Sequence, residues 1–255
     1  KPVARRFGPE AAYLLWLAPA LRLVLPDLPA PPLLPAPAAE GGVTFSFAGA
    51  GTGSVAPAVA SLDLAPVILA LWAAGSIAFL LMQLVRQRRF SARVIAGAVA
   101  PSPRLAAEAA AAADEAGLRR SISVLIAADQ TGPLVCGLMR PVIILPSNFE
   151  SAFAPGERRL ALAHECAHLK RGDLFSALVA ICFRALQWPN PLAHIAFLAF
   201  RADQEAACDA SVLRKHESVP DFAHAYGAAM LRSAANAAAA PAASLAMSRH
   251  LKERL

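Results

Sequence analysis

The chain has 255 residues and a mass of 26.6 kDa, with 57 % hydrophobic residues, 16 % charged residues and a formal charge of +6. Soluble domains run nearer about 45–50 % apolar and about a quarter charged, so an ordinary water-soluble globule is disfavoured. Disorder is excluded, because a disordered chain lacks the apolar surface that this one has in excess.

In chain order, the first apolar segment is Ala11–Leu25, a shorter candidate span carrying Pro19 and Arg22. Residues 27–63 follow as a Pro-, Ala- and Gly-rich spacer, a composition that forms no packed core. Its GAGTGS run (Gly49–Ser54) lacks the Gly-Lys-Ser/Thr ending of a phosphate loop. Leu64–Val85 contains no ionisable residue. As a helix it spans a hydrocarbon core of about 30 Å at about 1.5 Å per residue. Lys1, Arg5 and Arg6 precede the first segment, Arg86, Arg88, Arg89 and Arg93 follow the second, and no Lys or Arg lies between Arg22 and Arg86. The positive-inside rule makes both basic ends cytoplasmic and exports the loop. The charge therefore belongs to topology and anionic lipid, and direct nucleic-acid binding is not expected. A chain starting with Lys1 reads as a piece of a longer one, and no cleavable secretory signal is visible.

Beyond Arg93 the pattern is that of a folded domain. Leu105–Ala116 predicts a surface helix ending at Gly117, and Ser121–Ala127 and Val142–Leu145 predict short strands. Pro155-Gly156-Glu157 opens a helix that runs to about Arg171 and stops at Gly172. Cys136, Cys166, Cys182 and Cys208 show no CxxC spacing and fall on the side assigned to the cytoplasm. Reduced thiols are expected there, with small buried packing as the role of Cys166 and Cys208. Leu174–Gln187 is too short for a clean span and is interrupted by Arg184; it predicts a re-entrant or interfacial helix.

The chemistry lies in His164-Glu165-Cys166-Ala167-His168. Residues four apart share a helix face, so both imidazoles can address one metal ion. A Glu directly after the first His can take a proton from a metal-bound water. With six His and ten Glu in the chain, composition alone produces this string about once in two hundred such sequences. A catalytic zinc takes three protein ligands and keeps one open position. Glu205 and Asp209, four apart, share a helix face. One can be the third ligand and the other can hydrogen-bond the outer nitrogen of a ligating His. Asp173 reads as a helix cap or salt-bridge residue.

Four strings in order, GLMRPVIILP (Gly137–Pro146), AHECAHLKRGD (Ala163–Asp173), WPNPL (Trp188–Leu192) and Glu-x-x-Cys-Asp (Glu205–Asp209), resemble the BlaR/MecR-type integral-membrane zinc metallopeptidases of bacteria. The resemblance covers roughly Arg5 to Leu255, with its specific motifs between Gly137 and Asp209. It implies Zn²⁺ held by His164, His168 and Glu205, Glu165 as catalytic base, and Asp209 as partner to a ligating His. The sensor-transducer members carry an extracellular penicillin-binding domain after the last membrane segment. This chain ends at Leu255, so either that domain is cut off here or this member senses something else, and β-lactam sensing stays open.

The fold expected is a mostly α membrane protein, with transmembrane helices plus an α+β gluzincin-like zinc metallopeptidase domain containing a small sheet. Residues 1–93 form a membrane hairpin with spans at about 11–25 and 64–85. Residues 94–217 form the cytoplasm-facing metallopeptidase domain, with a membrane-associated apolar segment at 174–200, and 218–255 a C-terminal helical segment leading out. The function implied is a membrane zinc endopeptidase of the bacterial inner membrane, cleaving a cytoplasmic protein such as a transcriptional repressor, or itself. The bilayer and a second copy of the chain are the other expected partners.

Substrate would add as a strand to an exposed sheet edge, either Ser121–Ala127 or Leu134–Leu138. Candidate oxyanion donors are His194, Arg201, His216 and His224. Two alternatives compete: an HtpX/CAAX-type quality-control or processing protease, and a non-catalytic transducer with a structural metal site. Glu165 argues against the second, since a structural site needs no base.

Overall fold

The computed structural model describes residues 6–18, 64–119, 121–128, 130 and 132–238. The whole spacer at 27–63, residues 19–25 of the first candidate span and residues 239–255 lie outside them.

Helix α1 (Pro9–Leu14) is short and begins with proline at its first turn, where the missing N–H costs no hydrogen bond. Helix α2 (Ala65–Ala96) covers the expected span at 64–85 from its second residue and continues for about three more turns through the arginines to its C-cap Gly97. Arginine is a good helix former, so the charge that ends the apolar segment does not end the helix. This is the one helix among the described residues long and apolar enough to cross a membrane, and only 6 % of its apolar window is buried.

A two-residue strand β1 (Ala98–Val99) leads to α3 (Pro103–Ala116). The Ser102 hydroxyl accepts from the Leu105 N–H at 3.1 Å and Gly117 closes the helix with φ 72°. Strands β2 (Ser123–Ala127), β3 (Leu134–Cys136) and β4 (Val142–Pro146) complete a mixed sheet in the order β1-β2-β4-β3. β2 and β4 run parallel with Leu125 opposite Ile144, while β3 pairs antiparallel with β4. The order leaves β3 as a sheet edge, whereas β2 lies inside, bonded to β4 along its length and to β1 at Ile126 and Ala127. Of the two edges expected from the sequence, the structure leaves Leu134–Cys136 open along its length, whereas β1 covers Ser121–Ala127 only at Ile126 and Ala127.

After the short α4 (Phe149–Ala152), α5 (Pro155–Arg171) opens with the Glu157 carboxylate accepting from the Ala154 N–H at 2.9 Å. Alternation along β4 sends Ile143 and Leu145 to one face of the sheet and Ile144 to the other. On the first face they pack with Leu105 and Ala109 of α3 and with Leu162 and Cys166 of α5. Ile144 meets Val94 at the end of α2. The helix read as a surface element, α3, thus contributes one fully packed face of alanines and Leu105 to the core. It also holds α5 electrostatically. Arg158, 5 % exposed, donates from Nε and Nη2 to the two Glu108 oxygens, both at 2.8 Å.

Gly172, in the left-handed region at φ 71°, ends α5 and turns directly into α6 (Asp173–Leu186). The segment at 174–200 is not one helix. A corner at Gln187–Asn190 breaks it, and Asn190 caps α7 (Pro191–Lys215) by accepting from the Leu192 N–H at 3.0 Å. At this corner Trp188 donates to the Trp72 carbonyl at 3.2 Å and lies across Gly75, where a Cβ would collide with the indole. The corner is thereby clasped to α2. Ile68, Leu71 and Ile77 of α2, Phe175 of α6, and Leu192 and Ile195 of α7 are all at least 60 % exposed. Helix α8 (Phe222–Ala238) packs against α5.

Candidate metal centre

The 3.6-residue period puts His164 and His168 one turn apart on α5, and burial turns that face inward. His164 is 7 % and Glu165 8 % exposed. The two Nε2 atoms are 3.1 Å apart. Glu205, presented by the facing helix α7, brings Oε2 to 3.7 Å from His164 Nε2 and 3.5 Å from His168 Nε2. The expected trio therefore converges on one point.

Each outer nitrogen has its own carboxylate. His168 Nδ1 lies 2.6 Å from Asp173 Oδ2, and His164 Nδ1 lies 3.2 Å from Asp209 Oδ1 and 2.7 Å from the Tyr226 hydroxyl. Tyr226 in turn donates to Asp209 Oδ1 at 2.8 Å. A carboxylate can only accept, so His168 carries its proton on Nδ1 and presents a lone pair at Nε2. The hydrogen bonds at His164 impose the same tautomer. Two lone pairs and a carboxylate oxygen facing one another at this range repel unless a proton or a metal ion lies among them. Donors held at about 2.0–2.1 Å by one tetrahedral ion stand roughly 3.3 Å apart. The three separations, 3.1, 3.5 and 3.7 Å, straddle that value, so the residues fit a small divalent metal.

The electrostatics agree. Burial opposes the imidazolium form of His168, but the hydrogen bonds to Asp173, Cys208 and Glu205 together outweigh it and lift the pKa to about 11. His164 is likewise raised well above its ordinary value: burial opposes the charge, while Asp209, Cys208 and Glu205 favour it. Burial works against the Glu205 carboxylate, yet the hydrogen bonds from both imidazoles take its pKa well below the usual range. Without a metal the site holds protons tightly, as a surplus of carboxylates should. Glu165 goes the other way: burial raises its carboxyl, and the two imidazoles offset this only in part.

A thiol also reaches the cluster. Ligand atoms of His164, His168 and Cys208 all lie within 4.8 Å of one another. The Cys208 sulfur, however, approaches the Nδ1 edge of His164 at 3.9 Å and donates to the His164 carbonyl at 3.6 Å. Glu205 stands on the Nε2 edge that both rings share. All four cysteines are free thiols, and Cys136, Cys166 and Cys208 are buried.

A model of the family described as BlaR1 peptidase M56 matches residues 1–255. The chain belongs to that family. M56 is a family of metallopeptidases, in keeping with the cluster on α5 and α7. This M56 chain is 27 % identical over 104 residues to the methicillin resistance mecR1 protein of Staphylococcus aureus, covering 40 % of the chain and 18 % of that protein. The Staphylococcus epidermidis mecR1 protein matches to the same extent. Identity to the regulatory protein BlaR1 of Bacillus licheniformis is 33 % over 82 residues, 32 % of the chain and 14 % of that protein. The matches thus span less than a fifth of the length of these curated relatives.

The four expected oxyanion donors are scattered. Arg201 lies beside the cluster, with Nη2 3.7 Å from Glu205 Oε1. His194 packs on Phe79 at 5.6 Å and meets the Trp188 carbonyl at 3.0 Å, toward α2. His216 pairs with Glu115 at 3.0 Å, and His224 is exposed on α8. Two contributors to the M56 cluster carry roles the sequence reading did not give them. Asp173 does bridge to Arg171 as a salt-bridge residue, at 3.4 Å, but the Gly172 turn also folds it back onto His168. Its signal was the Gly-Asp step directly after the helix. Tyr226 is 62 residues from His164 and lies beyond the 94–217 boundary; no local pattern points to it.

Proposed function

We propose that this chain is the membrane-embedded core of a zinc-dependent endopeptidase that hydrolyses peptide bonds of a cytoplasmic protein in signal transduction, by cleaving a repressor or itself. The observation that carries the reading is the convergence of His164 Nε2, His168 Nε2 and Glu205 Oε2 beside the buried Glu165. In it His164, His168 and Glu205 hold the metal. Bound there, Zn²⁺ supplies Lewis acidity, polarising the scissile carbonyl and making water a competent nucleophile near neutrality. Glu165 takes the proton of the attacking water on its carboxylate and passes it to the leaving amine. Its raised pKa suits both halves of that transfer. Asp173 and Asp209 keep the two imidazoles in the ligating tautomer.

The free edge of β3, which lies beside α5, offers backbone donors and acceptors to an extended substrate segment. Arg201 is the one oxyanion candidate beside Glu205. The unpacked apolar window of α2, followed by four arginines, supports a lipid-facing span with the peptidase on the cytoplasmic side. The exposed apolar residues of α6 and α7 extend that contact to the bilayer surface.

Purified in detergent, the wild type should contain zinc and cleave candidate repressor substrates, and Glu165→Ala should retain zinc and lose cleavage. Equal activity in both would sink the catalytic assignment, and absence of zinc from the wild type would sink the site. A reporter fused near Gly117 should behave as cytoplasmic; an exported signal would reverse the orientation.

A further inference from the structure

We infer that Tyr226 is a positioning residue of the metal centre, its hydroxyl joining Asp209 to the outer nitrogen of His164 so that Nε2 is left free for a metal. The inference rests on the metal reading above. Tyr226 is 3 % exposed, and its oxygen sits 2.7 Å from His164 Nδ1 and 2.8 Å from Asp209 Oδ1. A phenol has one proton, and the carboxylate can only accept. The hydroxyl proton therefore goes to Asp209, and the phenol oxygen must accept from Nδ1–H. The order of the relay fixes the tautomer, which the 3.2 Å approach of Asp209 to His164 by itself would hold only loosely. On the other imidazole the 2.6 Å contact with Asp173 does this directly.

Helix α8 sets the hydroxyl in place. Phe222 stacks on Tyr226 with centroids 6.1 Å apart and on His216 at 4.3 Å. Ala229, one turn along, is fully buried, Met230 packs against the core that includes Leu162 and Cys166 of α5, and Arg232 bridges to Glu157 at 3.2 Å. Because the group that completes His164 arrives on α8, metal binding and the seating of α8 are linked, and the linkage is reciprocal. A segment beyond the peptidase motifs is thereby tied to the state of the metal site.

The test uses the full chain in detergent, stripped of metal and titrated with Zn²⁺ against a chromogenic chelator. Failure of the wild type to take up zinc would overturn the metal reading itself. With wild-type uptake established, Tyr226→Phe should bind zinc about tenfold more weakly, the lower end of what partners of ligating histidines contribute. Its metal-free melting temperature should match the wild type, and its Co²⁺-loaded form should show an altered visible absorption spectrum. Unchanged zinc affinity and cobalt spectrum would overturn the inference; so would a drop in affinity matched by a lowered metal-free melting temperature, the mark of a merely structural role. Asp209→Asn supplies an independent arm. It should weaken zinc binding as well, and the loss in the double variant should be smaller than the sum of the two single losses, because both act through one relay. Additive losses, or no loss in Asp209→Asn, would refute the relay. In the wild type, zinc should also slow amide hydrogen exchange along α8, and exchange unaffected by zinc would rule out the linkage.

Discussion

Helices α2 and α5 place their residues in opposite ways. α2 carries Ile68, Leu71 and Ile77 on its outside, each at least 60 % exposed, while α5 carries Arg158, His164 and Glu165 inside, all below a tenth exposed. In water the first helix would waste its apolar surface and the second would strand its charges. Both are reasonable once each has its own partner. The outside of α2 suits hydrocarbon. Around Glu165, the inside of α5 is matched by partners: Arg158 to Glu108, His168 to Asp173, and His164 to Asp209 through Tyr226. Buried polar groups persist only where such partners exist, and a surplus of carboxylate around two imidazoles calls for a cation. An apolar surrounding suits one helix, and matched charge suits the other.

Substitutions can break this contrast at four points. The largest effect is expected from Glu165→Gln, which keeps the shape of α5 but removes the proposed base. Peptide hydrolysis should fall by about 10²–10⁴ in kcat/KM while zinc content stays constant, as measured by steady-state assay and metal analysis. Glu108→Gln removes the counter-charge of the Arg158 guanidinium, which keeps its bonds to the Glu150 and Phe153 carbonyls. It should destabilise the domain by about 3 kcal/mol, within the range of about 3–5 kcal/mol for breaking a buried pair. The lower end applies because the Glu108 side chain keeps 24 % exposure.

The same pair has a pH signature. The hydrogen bond from Arg158 holds the Glu108 carboxyl below its ordinary 4.5. A carboxyl with a lowered folded-state pKa contributes stability that is fully present above the unfolded value and is lost as pH falls through the folded one. The stability gap between wild type and Glu108→Gln should therefore stay constant from neutrality down to about pH 5 and narrow below 4.5 in acid unfolding curves. A gap that widened in acid would contradict the pairing.

Ile77→Arg tests the other half of the contrast. If α2 spans the bilayer as proposed, a charge at this exposed position in its apolar stretch should cost about 2.5–3.5 kcal/mol of insertion free energy, read as a lost membrane fraction. Unchanged fractionation would place the outside of α2 in water. The smallest effect is expected at the joint between ligand helix and partner helix. Gly172→Ala meets no atom within 4 Å but must hold φ 71°, a backbone cost of about 1–2 kcal/mol. Thermal unfolding would measure it, and no change in melting temperature would show that the turn relaxes freely.

Much of this was legible in the residues. Proline at 155 and glycine at 172 bound α5, and its four-residue histidine spacing and the later Glu205–Asp209 spacing put four of the site's groups on two helix faces. The uncharged run at 64–85 announced α2, although not its extension through the arginines, because a charge change alone does not stop a helix. Short β-branched runs located β2 and β4, whereas the strand order that buries β2 and frees β3 depends on pairings that no local pattern contains. Asp173 was readable as a residue but not as a partner, since that required knowing that the turn at Gly172 reverses the chain onto His168.

The sequence by itself determined what is local and periodic: where apolar surface accumulates, where helices begin and stop, and which side chains share a helix face. Tertiary structure alone decided which faces meet. It brought Glu205 to the two Nε2 atoms, set Cys208 on the other edge of His164, and carried Tyr226 across 62 residues to the site. The physical reason is that periodicity acts over one turn of chain, while ligand geometry is fixed by packing between helices whose contacts leave no mark on local spacing.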